Sequence, residues 1–324
     1  MIAAPWIRHP GGVTTIDAEY VRPGFASVHV LERAGRAVLI DSGTNDSVPL
    51  VMRALQGLGL APDAVDWLFL THVHLDHAGG AGTLLAQLPR ARVLVHPRGA
   101  PHLIDPARLE AATIAVYGEP AYRKLYGALA PIPADRVHQT RDDERVRLGP
   151  SELTVLHTPG HALHHQILFD PEASAVFTGD TFGLSYRELD RTSGAFIVPT
   201  TTPTQFDPPQ LLVSVQRIVE LAPASAYLTH FGRVTDVARL GEALREQIER
   251  FVELAREHAA DPAERQGHIR AALRDYLAAR AAAHGIANAA ATIDQVLGPD
   301  LDLNAQGLVA WLDRTEKRPP GWRV

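Results

Sequence analysis

The run Thr71-His72-Val73-His74-Leu75-Asp76-His77-Ala78-Gly79-Gly80, directly after the apolar stretch Trp67–Leu70, constrains this chain more than any other feature. A short apolar stretch bounded by turn residues reads as a buried strand. Side chains alternate along an extended backbone, so His72 and His74 leave the strand end on one face. Asp76 and His77 fall where the chain turns into a helix, and Gly79-Gly80 allows a tight turn there. These imidazoles and this carboxylate do not suit a hydrophobic core, because each would need a buried polar partner. They suit a cluster of ligands gathered at one strand end.

Three more segments repeat the pattern. His157-Thr158-Pro159-Gly160-His161 follows Leu153–Leu156, Thr178-Gly179-Asp180-Thr181 follows Val176-Phe177, and Thr229-His230-Phe231-Gly232 follows Tyr227-Leu228. A single histidine after a strand carries little meaning, but strand ends that each deliver a nitrogen or oxygen donor make a pattern. Composition agrees: the chain has 16 histidines and no cysteine in 324 residues. Histidine is the commonest metal ligand, and a sulfur-free donor set suits Zn, with Fe and Mn also accommodated. Asp41 ends the apolar run Ala37–Ile40. It reads equally well as an acceptor for the free ring N–H of a ligand histidine or as a turn aspartate ahead of Gly43. His164 and His165, just after His161, are candidates for substrate contact or proton transfer, with His96 a weaker one.

The first part of the chain alternates short strands with helices and also makes hairpins, such as Phe25–Leu31 with Ala37–Ile40 around Ala34-Gly35. That combination predicts an α/β domain with a mixed sheet system covered by helices, over residues 1–235. Ala100–Leu129 interrupts the strands as a helical insertion whose Tyr117, Tyr122 and Tyr126 are either core-facing or part of a lid. Residues 236–324 show helical periodicity and no strand pattern, so they form an α-helical C-terminal extension. Its first helix carries Leu240, Leu244, Ile248, Phe251 and Val252 on one face, a stripe that must be buried. The expected cover is the insertion, with the sheet core or a second copy, and hence a homodimer, as the other choices. Later helices are expected at Pro262–Ala283, Ile293–Leu297 and Gly307–Leu312. The long connection Gly183–Asp207 is expected to help form a substrate pocket, with Tyr186 and Phe196 facing it.

In its ordered motifs the chain resembles the metallo-β-lactamase-fold superfamily, in the hydrolase branch that holds glyoxalase-II-like enzymes and lactonases. The matching pieces are Asp41-Ser42-Gly43, the H-x-H-x-D-H run from His72 to His77, His161 in Thr-Pro-Gly-His, Asp180 in Gly-Asp-Thr, and His230. The resemblance implies a four-layer αββα sandwich with the metals in a cleft at one edge of the sheets. It assigns His72, His74 and His161 to one divalent ion and Asp76, His77 and His230 to a second, with Asp180 bridging. It also implies that Asp76 and Asp180 belong to the catalytic centre, where a metal-generated hydroxide attacks an ester-like carbonyl of a thioester, lactone or ester. The same motifs occur in a mono-iron sulfur-dioxygenase branch and in phosphodiesterases of the fold.

Charge narrows the choice. With 37 acidic against 31 basic residues the net charge is −6, and no basic cluster offers a nucleic-acid surface. Only 18 residues separate His161 from Asp180, which leaves no room there for a nucleic-acid-clamping domain. No window approaches the ~20 apolar residues of a membrane span. The beginning MIAAPWIRHPGG lacks a signal-peptide pattern, which with the missing cysteines points to the cytoplasm and a small-molecule substrate. The purified protein is expected to hold close to two transition-metal ions per chain. Elemental analysis checks this, and a fixed content of one iron would favour the dioxygenase branch instead.

Overall fold

The computed structural model describes residues 6–201 and 205–316. Packing divides them into two compact units. The first runs to His157 and adds His164–Asp180 and Ala222–Val237. The second joins Thr158–Leu163 and Thr181–Leu221 to the chain from Ala238 onward. The grouping therefore does not follow a single cut at 235/236.

Both sheets belong to the first unit. One has seven strands in sequence order: β1 (Trp6–Arg8), β2 (Val13–Asp17), β3 (Ser27–Arg33), β4 (Arg36–Ile40), β5 (Val65–Phe69), β6 (Arg92–Val95) and β7 (Val137–Gln139). It is antiparallel through β4 and parallel from β4 to β7. The other has six: β8 (Glu144–Leu148), β9 (Ser151–His157), β10 (Gln166–Asp170), β11 (Ala175–Phe177), β12 (Ser225–Leu228) and β13 (Gly232–Val234). Only the β11–β12 pair in it is parallel. Helices α1 (Val48–Leu58), α2 (Leu75–Ala78) and α3 (Ala81–Leu85) follow strands of the first sheet.

Alternation along each strand sorts the core into two layers. Leu39, Leu68 and Val93 face the helices and pack with Val51, Leu55 and Leu84. Val38, Ile40, Phe69 and Leu94 point the other way and meet Val155, Leu168, Phe177 and Tyr227 of the second sheet. Strands buried on both faces read as continuous apolar runs, which is why β4 and β5 are visible in the sequence. The predicted strands match β3–β5, β9, β11 and β12 within a few residues. The short β1, β2, β7, β8 and β13, and helix α1, were not anticipated.

The insertion folds as α4 (Ala100–Ile104), α5 (Ala107–Tyr117) and α6 (Glu119–Tyr126). Tyr122 and Tyr126 are buried against Leu75 and Tyr20, so these two tyrosines are core-facing rather than lid residues. The second unit contains α7 (Pro208–Glu220), α8 (Val237–Glu257), α9 (Arg265–Ala283) and α10 (Ala289–Glu316). Leu240, Leu244, Ile248 and Phe251 of α8 are fully buried. Side chains of the same unit pack against this stripe. A Cβ at Gly241 would touch Val219 of α7 and approach Phe182, Leu244 lies against Gly183, and Phe251 meets Tyr276 of α9 edge-on. Where two short helices were expected, α10 is one helix that runs through Pro299. Its buried positions, from Ile293 to Leu312, keep helical spacing across the proline, and their packing outweighs the lost hydrogen bond.

An arginine–carboxylate pair is buried in the first unit. Arg33 at the end of β3 bonds Asp170 at the end of β10, whose side chain is fully buried. Burial raises the Asp170 carboxyl, while Arg33 and the Glu172 and Ala173 N–H groups pull it back down. Replacing Arg33 by Met leaves that carboxylate without its cation, and a loss of about 3 kcal/mol is expected. Urea unfolding of R33M against wild type measures it.

Candidate metal centre

The centre is built around Asp41, which is 1% exposed and sits in the left-handed region at φ 61°, a conformation that aspartate tolerates better than most residues. Its Oδ1 accepts the Thr71 backbone N–H at 2.8 Å, and both oxygens lie 3.0 Å from the Thr71 hydroxyl. Oδ2 also accepts from the Thr229 hydroxyl at 2.9 Å and from His77 Nδ1 at 2.7 Å. Asp41 follows β4, Thr71 follows β5 and Thr229 follows β12. One carboxylate thus ties strand ends of both sheets together and fixes the His77 ring. Neither threonine was singled out in the sequence, although the repeated Thr-His pairs Thr71-His72 and Thr229-His230 were the signal available.

With Nδ1 committed to Asp41, His77 directs Nε2 into the centre. There it lies 3.3 Å from Asp180 Oδ1 and 3.7 Å from Asp76 Oδ2, yet it is buried and makes no hydrogen bond among the described residues. His230 is held in the same manner: its Nδ1 donates to the Phe25 carbonyl at 2.8 Å. Its Nε2 faces Asp76 at 3.2 Å and Asp180 at 3.7 Å. A backbone carbonyl has no signature in a sequence, so the Phe25 contact could only come from the fold. His72 and His74 approach each other, Nε2 to Nδ1, at 2.7 Å. The donor atoms of Asp76, His77 and His230, and likewise of His72, His77 and Asp180, lie within 4.8 Å of one another. The first unit therefore assembles His72, His74, Asp76, His77, Asp180 and His230. His161 belongs to the second unit, where its Nδ1 lies 2.9 Å from the Thr200 hydroxyl.

Electrostatics marks the centre as a place for positive charge. Burial lowers His77, but Asp180, Asp76 and Asp41 outweigh it and hold the imidazole well above its ordinary range. Burial likewise lowers His230, and Asp180 with Asp76 lifts it to about 9. Burial raises Asp76, yet His77 and His230 bring it down to about 2. The carboxylates thus favour the charged form of both imidazoles.

The neighbouring histidines divide by role. His165 is fully buried, stacks on His72 at 4.8 Å and accepts the Asp180 backbone N–H at its Nε2. It therefore supports Asp180 and meets no solvent. Gly179 makes this approach possible: its φ is 49°, and a Cβ there would lie 2.7 Å from Thr71 Oγ1 and 2.8 Å from His165 Nε2. His164 lies between rings, 5.7 Å from His74 and 6.5 Å from His102, with Nδ1 3.4 Å from the Val73 N–H. His96 stacks on His157 at 4.2 Å, away from the ligand groups. Both aromatic candidates of the 183–207 connection are buried. Tyr186 is fully buried and donates its hydroxyl to Asp300 of α10. Phe196 packs 5.4 Å from the His284 ring and, with Arg239 and Arg280, lines a hollow of about 270 Å³.

The metallo-beta-lactamase superfamily model matches residues 21–230, and the chain belongs to that superfamily. The fold is the metallo-β-lactamase fold, with α8–α10 beyond the family's domain. A metallo-beta-lactamase fold-containing protein of Sulfurisphaera tokodaii, ST1585, is 30% identical over 230 residues, 69% of this chain and 80% of that one. Its crystal structure aligns with a TM-score of 0.59 over 74% of this chain and 86% of that one. An acyl-coenzyme A thioesterase of Gallus gallus is 29% identical over 56% of this chain and 67% of its own length. A hydroxyacylglutathione hydrolase of Xanthomonas euvesicatoria is 32% identical over 56% of this chain, which spans about half (52%) of that relative. A metallo-beta-lactamase family protein of Thermus thermophilus, at 22% identity and a TM-score of 0.60, shares the fold over 96% of this chain and 91% of its own.

Replacing Asp41 by Asn keeps the shape but weakens the bond that aims His77. A loss of ~10–100-fold in metal affinity is expected, with near-normal circular dichroism. Competition against a chromophoric chelator measures it.

Proposed function

We propose that the chain is a metal-dependent hydrolase that acts on an ester-like carbonyl, in a thioester, lactone or ester, at a centre of two divalent ions. The observation that carries the reading is the buried His77 Nε2, held in place from behind by Asp41 and facing Asp76 and Asp180 without a hydrogen-bond partner among the described residues. An orphaned nitrogen beside two carboxylates and a second histidine fits a cation. Asp76, His77 and His230 would hold one ion, His72 and His74 with His161 the other, and Asp180 would bridge. Nitrogen and oxygen donors without sulfur favour Zn, with Fe and Mn as substitutes. When bound, such a pair supplies Lewis acidity that polarises a carbonyl and ionises water near neutral pH.

The chain's own residues do the positioning. Asp41 and the Phe25 carbonyl fix the ring planes of His77 and His230, and His165 holds the backbone at Asp180. Relatives named as an acyl-coenzyme A thioesterase and a hydroxyacylglutathione hydrolase support a thioester among the candidate substrates. The proposed setting is the cytoplasm, with a small-molecule substrate and a homodimer as the assembly to test. No helix among the described residues is long and apolar enough to cross a membrane.

Asp180→Asn tests the centre. The variant keeps the side-chain shape and removes the charge that lets two cations sit close together, so it should lose part of one metal. Its hydrolysis of a thioester or lactone turned over by wild type should fall by orders of magnitude. Metal analysis and initial rates are measured together, and near-wild-type rates would remove Asp180 from its bridging role.

A further inference from the structure

The loop that joins β2 to β3 holds strained backbone beside the metal centre. Glu19 and Val21 both sit in the left-handed region, at φ 51° and 62°. For a β-branched residue such as Val21 that conformation is an outlier, and strained backbone persists only where its surroundings over-determine it. Val21 is exposed, so its own side chain does not fix the loop. At the base, the Glu19 and Gly24 N–H groups donate to Asp17, and the Ala18 N–H donates to the Ala26 carbonyl.

Between the two strained residues stands Tyr20, which is tied outside the loop. Its hydroxyl shares a hydrogen bond of 2.7 Å with the Tyr126 hydroxyl of α6, and the two rings stack at 6.0 Å. Tyr126 is a firm anchor. It is buried with Leu75, and Asn45 Nδ2 donates to the Tyr126 and Ala128 carbonyls at 2.9 Å. The Tyr20 ring also meets the Phe25 ring at 5.8 Å. Phe25 supplies the carbonyl that accepts His230 Nδ1, and its ring lies edge-on to the His230 ring at 5.4 Å. A continuous set of contacts thus runs from the helical insertion to His230, all of it within the first unit.

We infer that Tyr126 is a positioning residue for the metal centre: through Tyr20 it holds the loop in the arrangement that aims the Phe25 carbonyl, and hence His230. The inference rests on the reading of His230 as a metal ligand. Without the hydroxyl pair the backbone at Glu19 and Val21 relaxes and the carbonyl shifts. His230 then gains freedom that a bound ion must remove again. The insertion therefore contributes to ligand geometry without supplying a ligand.

Tyr126→Phe removes one hydroxyl and keeps the ring against Leu75 and Tyr20. Stepwise Zn²⁺ binding is measured by competition with a chromophoric chelator. One of the two affinities should fall ~3–10-fold, less than the ~10–100-fold of a group that bonds a ligand directly. Tyr20→Phe removes the same bond from a half-buried position, should the first variant fold poorly, and is expected to give the same loss. The double variant should lose no more than either single one, because the two hydroxyls act together. In a His230→Ala background Tyr126→Phe should change nothing further. Tyr122→Phe, in the same buried cluster, controls for a general loss of packing and should leave both affinities unchanged. Unchanged affinities in the folded Phe variants, an equal loss in Tyr122→Phe, or a loss that persists without His230 would overturn the inference. A second arm needs no metal: the His230 Nδ1–H proton, observed by NMR, should exchange with water several-fold faster in Tyr126→Phe. An unchanged exchange rate overturns the tether, whereas a wild type that binds no Zn²⁺ overturns the metal reading alone.

Discussion

The centre depends on a single buried carboxylate. Asp41 receives hydrogen bonds from groups at the ends of β5 and β12 and from the His77 ring, while its own backbone ends β4. Removing a carboxylate from water costs several kcal/mol unless its lone pairs are filled, and here the contacts fill them. Satisfying Asp41 therefore requires the two sheets to be in register at this edge. The same contacts that settle the carboxylate aim His77, so packing of the sheets and geometry of the ligands are one requirement rather than two.

The positions of the other candidate ligands follow from strand geometry. A strand end delivers a side chain with little conformational freedom, because the residues before it are locked into the ladder and the core. His72 and His74 leave β5, Asp180 follows β11 and His230 follows β12. Little backbone entropy is left for a bound cation to remove, which is the physical content of preorganisation. The carboxylates Asp76 and Asp180 favour the charged form of the imidazoles that face them.

Strand ends were legible because both signals, an apolar run and a polar donor just after it, are local. The parallel strands β4–β6 are buried on both faces and stand out as runs. Edge strands such as β1 and β8 bury only part of their side chains, so their patterns are faint. The single helix α10 contains Gly298-Pro299, a strong local break, and the packed positions on either side override it. Tyr186 looked like a pocket residue from its place in a long connection, whereas its hydroxyl is taken by Asp300, 114 positions away. Thr71, Thr229 and Phe25 were missed for the same reason: their roles are defined by partners distant in the chain, and one of them acts through its backbone.

Gly179 carries a consequence for how this sequence can drift. Its backbone is left-handed, and any side chain would strike Thr71 and the ring that supports Asp180. Every amino-acid change reachable from a glycine codon by one nucleotide adds at least a methyl group. The position ahead of Asp180 therefore has no neutral neighbour in the genetic code, and lineages that keep the centre must keep this glycine or rebuild the threonine and histidine around it at the same time.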